Sequence, residues 1–318
     1  MKVLVTGANG FVGAALVQRL LADEPATKLV ATVRISVYDL PTGVERIVIS
    51  GIDEANDWRD ALTDCEVVIH LAARVHVMQE STADPLAEFR RVNVQGTLNL
   101  ARQAAAAGVR RFVFVSSIKV NGDATQPGQP FKADDAPAPL DAYGVSKMEA
   151  EQGLRDLAVQ TGMEMVIIRP PLVYGPGVKA NFAALMRWLR RGVPLPLDAI
   201  HNQRSLVALG NLVDLIVTCI THPAAANQTF LVSDGDDVST TELLRRMGHA
   251  IGHPAHLIPV PVNLLKLAAA MVGKRDVAQR LCGSLQVDIE KTRRLLDWTP
   301  PLTLDQGLRK AASGPVSA

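Results

Sequence analysis

Cysteine is scarce in this chain. Its 318 residues hold three, Cys65, Cys219 and Cys282. The number is odd, the positions are scattered, and no C-x-x-C spacing occurs. That excludes a disulfide framework and argues against a zinc site, so no metal is expected. Each thiol is expected to pack as a small buried hydrophobe. Charge of one sign is lacking too. The formal net charge is +1, which gives no reason to expect nucleic acid or a membrane as partner. The arginine pairs Arg90-Arg91, Arg110-Arg111, Arg190-Arg191 and Arg293-Arg294 read as solvated helix ends. Long hydrophobic runs are also missing. A spanning helix needs ~20 apolar residues, whereas the longest candidate, Leu264 to Val272, contains Lys266. The first apolar run, Val3 to Thr6, is strand-length and breaks into glycines, unlike a signal peptide. There is no internal repeat. A cytoplasmic globular enzyme or binding protein is the expectation.

What is present is an alternation of short apolar strands and helical patterns. Strands are expected at Lys2 to Thr6, Lys28 to Val33, Val44 to Ser50, Glu66 to Leu71, Phe112 to Ser116 and Met165 to Arg169. Helices are expected at Phe11 to Ala22, Ala87 to Ala107 and Ala142 to Thr161. Strands that are apolar throughout, rather than at every second residue, belong to a parallel sheet covered on both faces. Repeated β-α units give the Rossmann, doubly wound α/β class. After about residue 175 strands thin out, and helices dominate from Thr240. Residues 1–175 are therefore expected to form the NAD(P)-binding domain, catalytic residues included. Residues 176–318 form a smaller, mainly helical substrate lobe, with some chain crossing back to the sheet. Ala311 to Ala318 is expected to be a loose tail.

The first strand runs into Thr6-Gly-Ala-Asn-Gly-Phe-Val-Gly13, which opens the first helix. Gly7 permits the tight turn, Gly10 lets a pyrophosphate approach the backbone, and Gly13 lets helix and sheet meet. Asn9, Phe11 and Val12 complete a loop that offers amides to an anion. NAD sites place an acid on the end of the second strand. Here that end reads Ala31-Thr32-Val33-Arg34. Arg34 can pair with a 2′-phosphate, so NADP is preferred over NAD.

Tyr143-Gly-Val-Ser-Lys147 opens a helical segment. The i, i+4 spacing puts Tyr143 and Lys147 on one face. A lysine ammonium beside a phenol is expected to lower the phenol's pKa, making Tyr143 an acid or base near neutral pH. Upstream, Phe112-Val-Phe-Val-Ser-Ser117 is a strand ending in hydroxyls that face the cofactor crevice.

Together these motifs resemble the extended short-chain dehydrogenase/reductase family, which includes nucleotide-sugar epimerases, 4,6-dehydratases and 4-ketoreductases. The match covers nearly the whole chain. The resemblance implies that Ser117, Tyr143 and Lys147 are catalytic, Ser117 lying five residues before Gly122, with Ser116 supporting the cofactor. It places Leu71-Ala72-Ala73 and Asn93 around the cofactor, Asp53 near the adenine, and Pro170 and Val173 of Arg169 to Pro176 at the nicotinamide end. It implies that Arg204 grips a substrate diphosphate, with Arg280 as a second candidate. It also implies a homodimer. The chain departs from the dehydratase pattern: Ile118 and Lys119 stand where those enzymes carry an Asp-Glu pair, which disfavours 4,6-elimination. Asn121 stands where the family has a tyrosine.

Ser116 to Gly122, Arg169 to Phe182 and Ser233 to Leu243 resemble one branch of the family more closely. Its members are 4-ketoreductases that form UDP-N-acetylquinovosamine, and are often labelled UDP-glucose 4-epimerases. The branch implies that Lys179 and Asn181 face the sugar. A UDP-4-keto-6-deoxy-N-acetylhexosamine 4-ketoreductase is therefore the leading expectation. A 4-epimerase with tightly held NAD is the alternative. A non-catalytic NADP(H) sensor is the reading from another class.

Overall fold

The computed structural model describes residues 1–23, 26–34, 40–75, 84–126, 128–178, 180–271, 273 and 275–314. Seven parallel strands form one sheet in the order β3-β2-β1-β4-β5-β6-β9. They are β1 (Lys2–Thr6), β2 (Lys28–Val33), β3 (Val44–Val48), β4 (Val67–His70), β5 (Arg111–Val115), β6 (Glu164–Arg169) and β9 (Gln228–Leu231). Val3, Leu4 and Val5 have no exposed surface, and neither do Val67, Val68 and Ile69. That is how strands covered on both faces look. The strand order reverses between β1 and β4, so the crevice opens beyond Thr6, His70 and Val115, the carboxyl ends of the central strands.

One face of the sheet is covered by α1 (Phe11–Asp23) and α7 (Leu209–Thr221). The other carries the short α2 (Arg59–Leu62), α4 (Thr97–Ala106) and α5 (Ala142–Thr161). A third apolar cluster lies in the second half of the chain. It joins α6 (Ala180–Arg190), α8 (Thr240–Ala250) and α12 (Leu304–Ser313) to a two-stranded parallel sheet of β7 (Leu172–Tyr174) and β8 (Leu206–Ala208). The remaining helices are α9 (Val262–Met271), α10 (Arg275–Cys282) and α11 (Glu290–Leu296). No helix among the described residues is long and apolar enough to cross a membrane. Cys65 and Cys219 are buried as expected, but Cys282 is partly exposed.

The helix expected from Ala87 to Ala107 is interrupted. It consists of α3 (Pro85–Phe89), a π-helical stretch Arg90–Gly96, and α4. The wide turn brings Asn93 inward, where its amide donates to the Arg74 carbonyl at 3.0 Å and to Ser146 Oγ at 3.0 Å. Such inserted turns recur where a side chain is aimed at a site. The tail expected from Ala311 is also helical, as far as Ser313. A capping box between Thr303 and Gln306 starts α12, and Leu304, Leu308 and Ala311 line its buried face. Residues 315–318 lie outside the described residues.

One buried ion pair ties α5 to β6. Arg169 Nε and Nη2 donate to the two oxygens of Glu151 at 2.9 and 2.6 Å, and both side chains are all but inaccessible. Removing one partner of such a pair leaves a buried charge. Arg169→Met is expected to cost about 3–5 kcal/mol of stability in urea unfolding. A loss near zero would show that the pair does not hold α5 to the sheet.

Candidate active site

The glycine loop has the geometry expected of it. Gly7 has φ +70°, and a Cβ there would lie 2.9 Å from the Ala72 nitrogen. A Cβ on Gly13 would lie 2.1 Å from the Gly7 carbonyl oxygen. Only glycine fits either place. Gly10 N donates to Gly7 O at 2.9 Å, which closes the turn and leaves the α1 N-terminus over the crevice. Asn9, Phe11 and Val12 line this turn, none of them buried. Leu71, Ala72 and Ala73 face it from the end of β4, with Ala72 N donating to Thr6 Oγ1 at 3.3 Å.

Beneath the loop lies a relay that the sequence reading missed. Thr6 Oγ1 pairs with His70 Nδ1 at 2.7 Å, and His70 Nε2 pairs with Thr97 Oγ1 at 2.9 Å. Burial pushes the His70 pKa down to about 3, with the Lys147 charge adding to the effect. The imidazole therefore stays neutral and acts as a strut. Its only sequence signal was a polar residue ending an apolar strand.

The end of β5 separates two serines. Ser116 Oγ is buried and has no hydrogen-bond partner among the described residues. Ser117 caps a short turn at Ile118–Val120, accepting from Lys119 N at 3.3 Å, and its side chain acts to lower the Tyr143 pKa. Tyr143 and Lys147 lie one turn apart on α5, whose N-cap is Asp141, accepting from Gly144 N at 2.7 Å. Lys147 is 2 % exposed. Its ammonium donates to the Val115 carbonyl at 3.0 Å and sits 4.4 Å from the centre of the Phe114 ring. Three residues from two elements, the turn after β5 and α5, thus meet at the mouth of the crevice.

The electrostatics correct one expectation. Lys147 was expected to pull the Tyr143 pKa down, yet the phenol is pushed up to about 12. Burial dominates, the Ser117 side chain opposes it, and the Asp141 charge adds to it. The lysine ammonium is spent on a carbonyl and a ring face. Its own pKa falls to about 7 because burial outweighs the attraction of Glu151.

The other expected residues are distributed as follows. Asn93 is fully occupied within the protein, since Oδ1 also accepts from Arg74 N at 2.8 Å. Ser146 in turn donates to the Tyr143 carbonyl at 2.8 Å, so Asn93 steadies the Tyr143 turn. Arg34 is exposed at the end of β2. The Asp53 carboxylate accepts from Ala55 N at 3.1 Å and faces Arg91 at 3.9 Å. Pro170 is buried, its carbonyl accepting from Ile118 N at 3.0 Å, and Val173 is half-buried in β7. Lys179 lies outside the described residues, as does the side chain of Asn181.

Arg204 bridges Val238 and Leu285. The next residues, Gln286 and Val287, pair with Phe131 of the loop that follows the Ser117 turn. Its guanidinium meets two carbonyls, of Arg280 and Gly283, and burial alone holds its pKa below the ordinary value. Arg280 contributes its carbonyl here, while its side chain is exposed. Among the described residues the Arg204 guanidinium forms no ion pair, and a half-buried guanidinium of this kind can bind an anion.

The sequence pattern of the NAD dependent epimerase/dehydratase family matches residues 3–233. The chain belongs to this family. A relative from Vibrio cholerae, named UDP-glucose 4-epimerase, is 49% identical, covering 100% of this chain and 96% of its own. The structure of MoeE5 in complex with UDP-glucuronic acid and NAD is similar at a TM-score of 0.77 and 25% identity, covering 98% of both chains. The UDP-N-acetylglucosamine 4-epimerase of Bacillus cereus matches at a TM-score of 0.79 over 98% of both chains.

Seen as an epimerase/dehydratase chain, the molecule explains its departure at Asn121. The side chain is buried, donates to the Lys132 carbonyl at 3.0 Å and accepts from Arg169 Nη1 at 2.9 Å. It completes the Glu151–Arg169 pair and does not face the crevice.

Lys147 sets a pH dependence. Unfolded, its ammonium titrates near 10.5, and folded near 7. Between those values the unfolded chain binds more protons, so stability rises with pH. The cofactor-free protein is expected to gain stability relative to Lys147→Met as pH rises from about 7 towards 10.5. Thermal unfolding across that range checks this. A constant gap would contradict it.

Proposed function

We propose that this chain is a UDP-sugar 4-epimerase that retains its NAD. The observation that carries the reading is the meeting of Ser117, Tyr143 and Lys147 at the crevice, in a chain 49% identical throughout to a protein named UDP-glucose 4-epimerase. The 4-ketoreductase expected from the sequence would use the same three residues. Its preference rested on the branch resemblance of Ser116 to Gly122, Arg169 to Phe182 and Ser233 to Leu243, and on Arg34 with the missing ribose acid. The named relative and the NAD-bound MoeE5 favour the epimerase instead.

The residues present fit the cofactor. The Gly7 and Gly13 positions leave no room for a Cβ, the α1 N-terminus offers amides to a pyrophosphate, and Ser116 Oγ is a buried hydroxyl without a partner among the described residues. NAD, when bound there, would accept the C4 hydride and return it.

The chain's own residues supply the rest. Tyr143 takes the C4 hydroxyl proton and gives it back, and Ser117 shares that proton. Burial holds the phenol's pKa up in the free protein, so a positive charge brought close to it would favour Tyr143 as base. Lys147 lies beneath the site, where the attraction of Glu151 opposes the effect of burial on its charged form. Arg204 holds the diphosphate, so the hexose can turn while the nucleotide stays anchored. Asn181 and Lys179 remain the candidates for contact with the sugar. We also propose a homodimer of NAD-holding subunits.

The test is to purify the protein without added cofactor, measure bound nucleotide, and assay UDP-glucose against UDP-galactose and the matching N-acetylhexosamines. About one NAD per chain and C4 interconversion are expected. Empty protein that oxidises free NADPH with a UDP-4-keto sugar would instead establish the reductase. Tyr143→Phe is expected to lose about 10²–10⁴-fold in rate. Arg204→Met is expected to raise KM for the UDP-sugar with little change in bound NAD.

A further inference from the structure

We propose that Lys119 is a positioning residue that locks the Ser117 turn to the N-terminus of α5, and so fixes the position of Tyr143 relative to Ser117. The inference rests on Tyr143 being the acid/base group.

Three contacts of one residue carry it. Lys119 N donates to Ser117 Oγ at 3.3 Å, so its backbone holds one catalytic hydroxyl. Its carbonyl oxygen lies against Gly144, where a Cβ would approach to 2.8 Å, so the turn and the first turn of α5 are in close contact. Its ammonium reaches Asp123 Oδ1 at 2.7 Å and Asp141 Oδ2 at 3.2 Å. Asp141 is the N-cap of α5, its other oxygen accepting from Gly144 N. One side chain thus ties the cap of the Tyr143 helix to the segment that carries Ser117.

The position has a chemical meaning as well. An acid here would add negative charge beside Asp123 and Asp141. The lysine instead neutralises the one carboxylate that acts on Tyr143, since Asp141 raises that phenol's pKa. The other charged groups around Tyr143 are Lys147, one turn on in α5, and Arg74, which lies over the Phe89 ring that meets Tyr143 edge-on. His70 below Lys147 is neutral. Of these groups, Lys119 alone is paired with Asp141.

The experiment uses the holoenzyme with tyrosine ring-labelled for carbon NMR. The chain has three tyrosines, Tyr38, Tyr143 and Tyr174, and Tyr143→Phe assigns the resonance. Lys119→Met is expected to move the Tyr143 signal and to shift the acid limb of the kcat–pH profile upward by about one unit, a tenfold loss at fixed low pH. Bound NAD should stay constant, and Lys119→Arg should restore both readouts. Asp123→Asn leaves the ammonium to Asp141 alone and is expected to shift the limb the opposite way. An unmoved Tyr143 signal and an unmoved limb in Lys119→Met would overturn the proposal. Full activity in Tyr143→Phe would instead overturn the proposed reaction, while the NMR signal still reports on Lys119.

Discussion

A lysine ammonium taken out of water at the junction of a strand and a helix is the constraint on which the rest depends. Lys147 ends on the Val115 carbonyl and the Phe114 ring. That fixes the rotation of α5 about its axis relative to β5. With the rotation fixed, Tyr143 must face the end of the strand that carries Ser117. Burial makes the arrangement costly, as the fall of the Lys147 pKa shows. The fold offsets this by anchoring α5 a second time. Glu151, one turn beyond Lys147, is held by Arg169 on the neighbouring strand and by Arg155 on the helix itself.

The same logic explains why polar side chains cluster around the crevice. Asn93 reaches in from a π-helical turn, Ser146 relays it to the Tyr143 carbonyl, and Asp141 caps the helix. Each uses its hydrogen bonds within the protein. Among the described residues the Ser116 hydroxyl is buried without a partner, and the Arg204 guanidinium meets two carbonyls.

Much of this was legible in the sequence because it is local. The glycine loop, the apolar strands and the Tyr143–Lys147 spacing each lie within about a dozen residues and follow period or turn rules. The contacts that sequence reading missed join distant residues. Nothing in the order of residues says that Glu151 meets Arg169, that Lys119 meets Asp141, or that His70 bridges Thr6 and Thr97. The Tyr143 pKa was misjudged for the same reason. Spacing puts Lys147 on the right face, but only packing shows where its ammonium ends and how far the phenol is desolvated. The interrupted helix was hidden because a π turn keeps helical periodicity nearly intact. The reductase expectation leaned on three short stretches and on the exposed Arg34, whereas whole-chain similarity weighs every position at once.

The most direct test of the account is proton NMR of UDP-glucose mixed with the purified protein in heavy water, with no cofactor added. The account predicts inversion at C4 with the original hydrogen retained there, because it leaves and returns without meeting solvent. Inversion that brings in solvent deuterium, or no inversion at all, would contradict it.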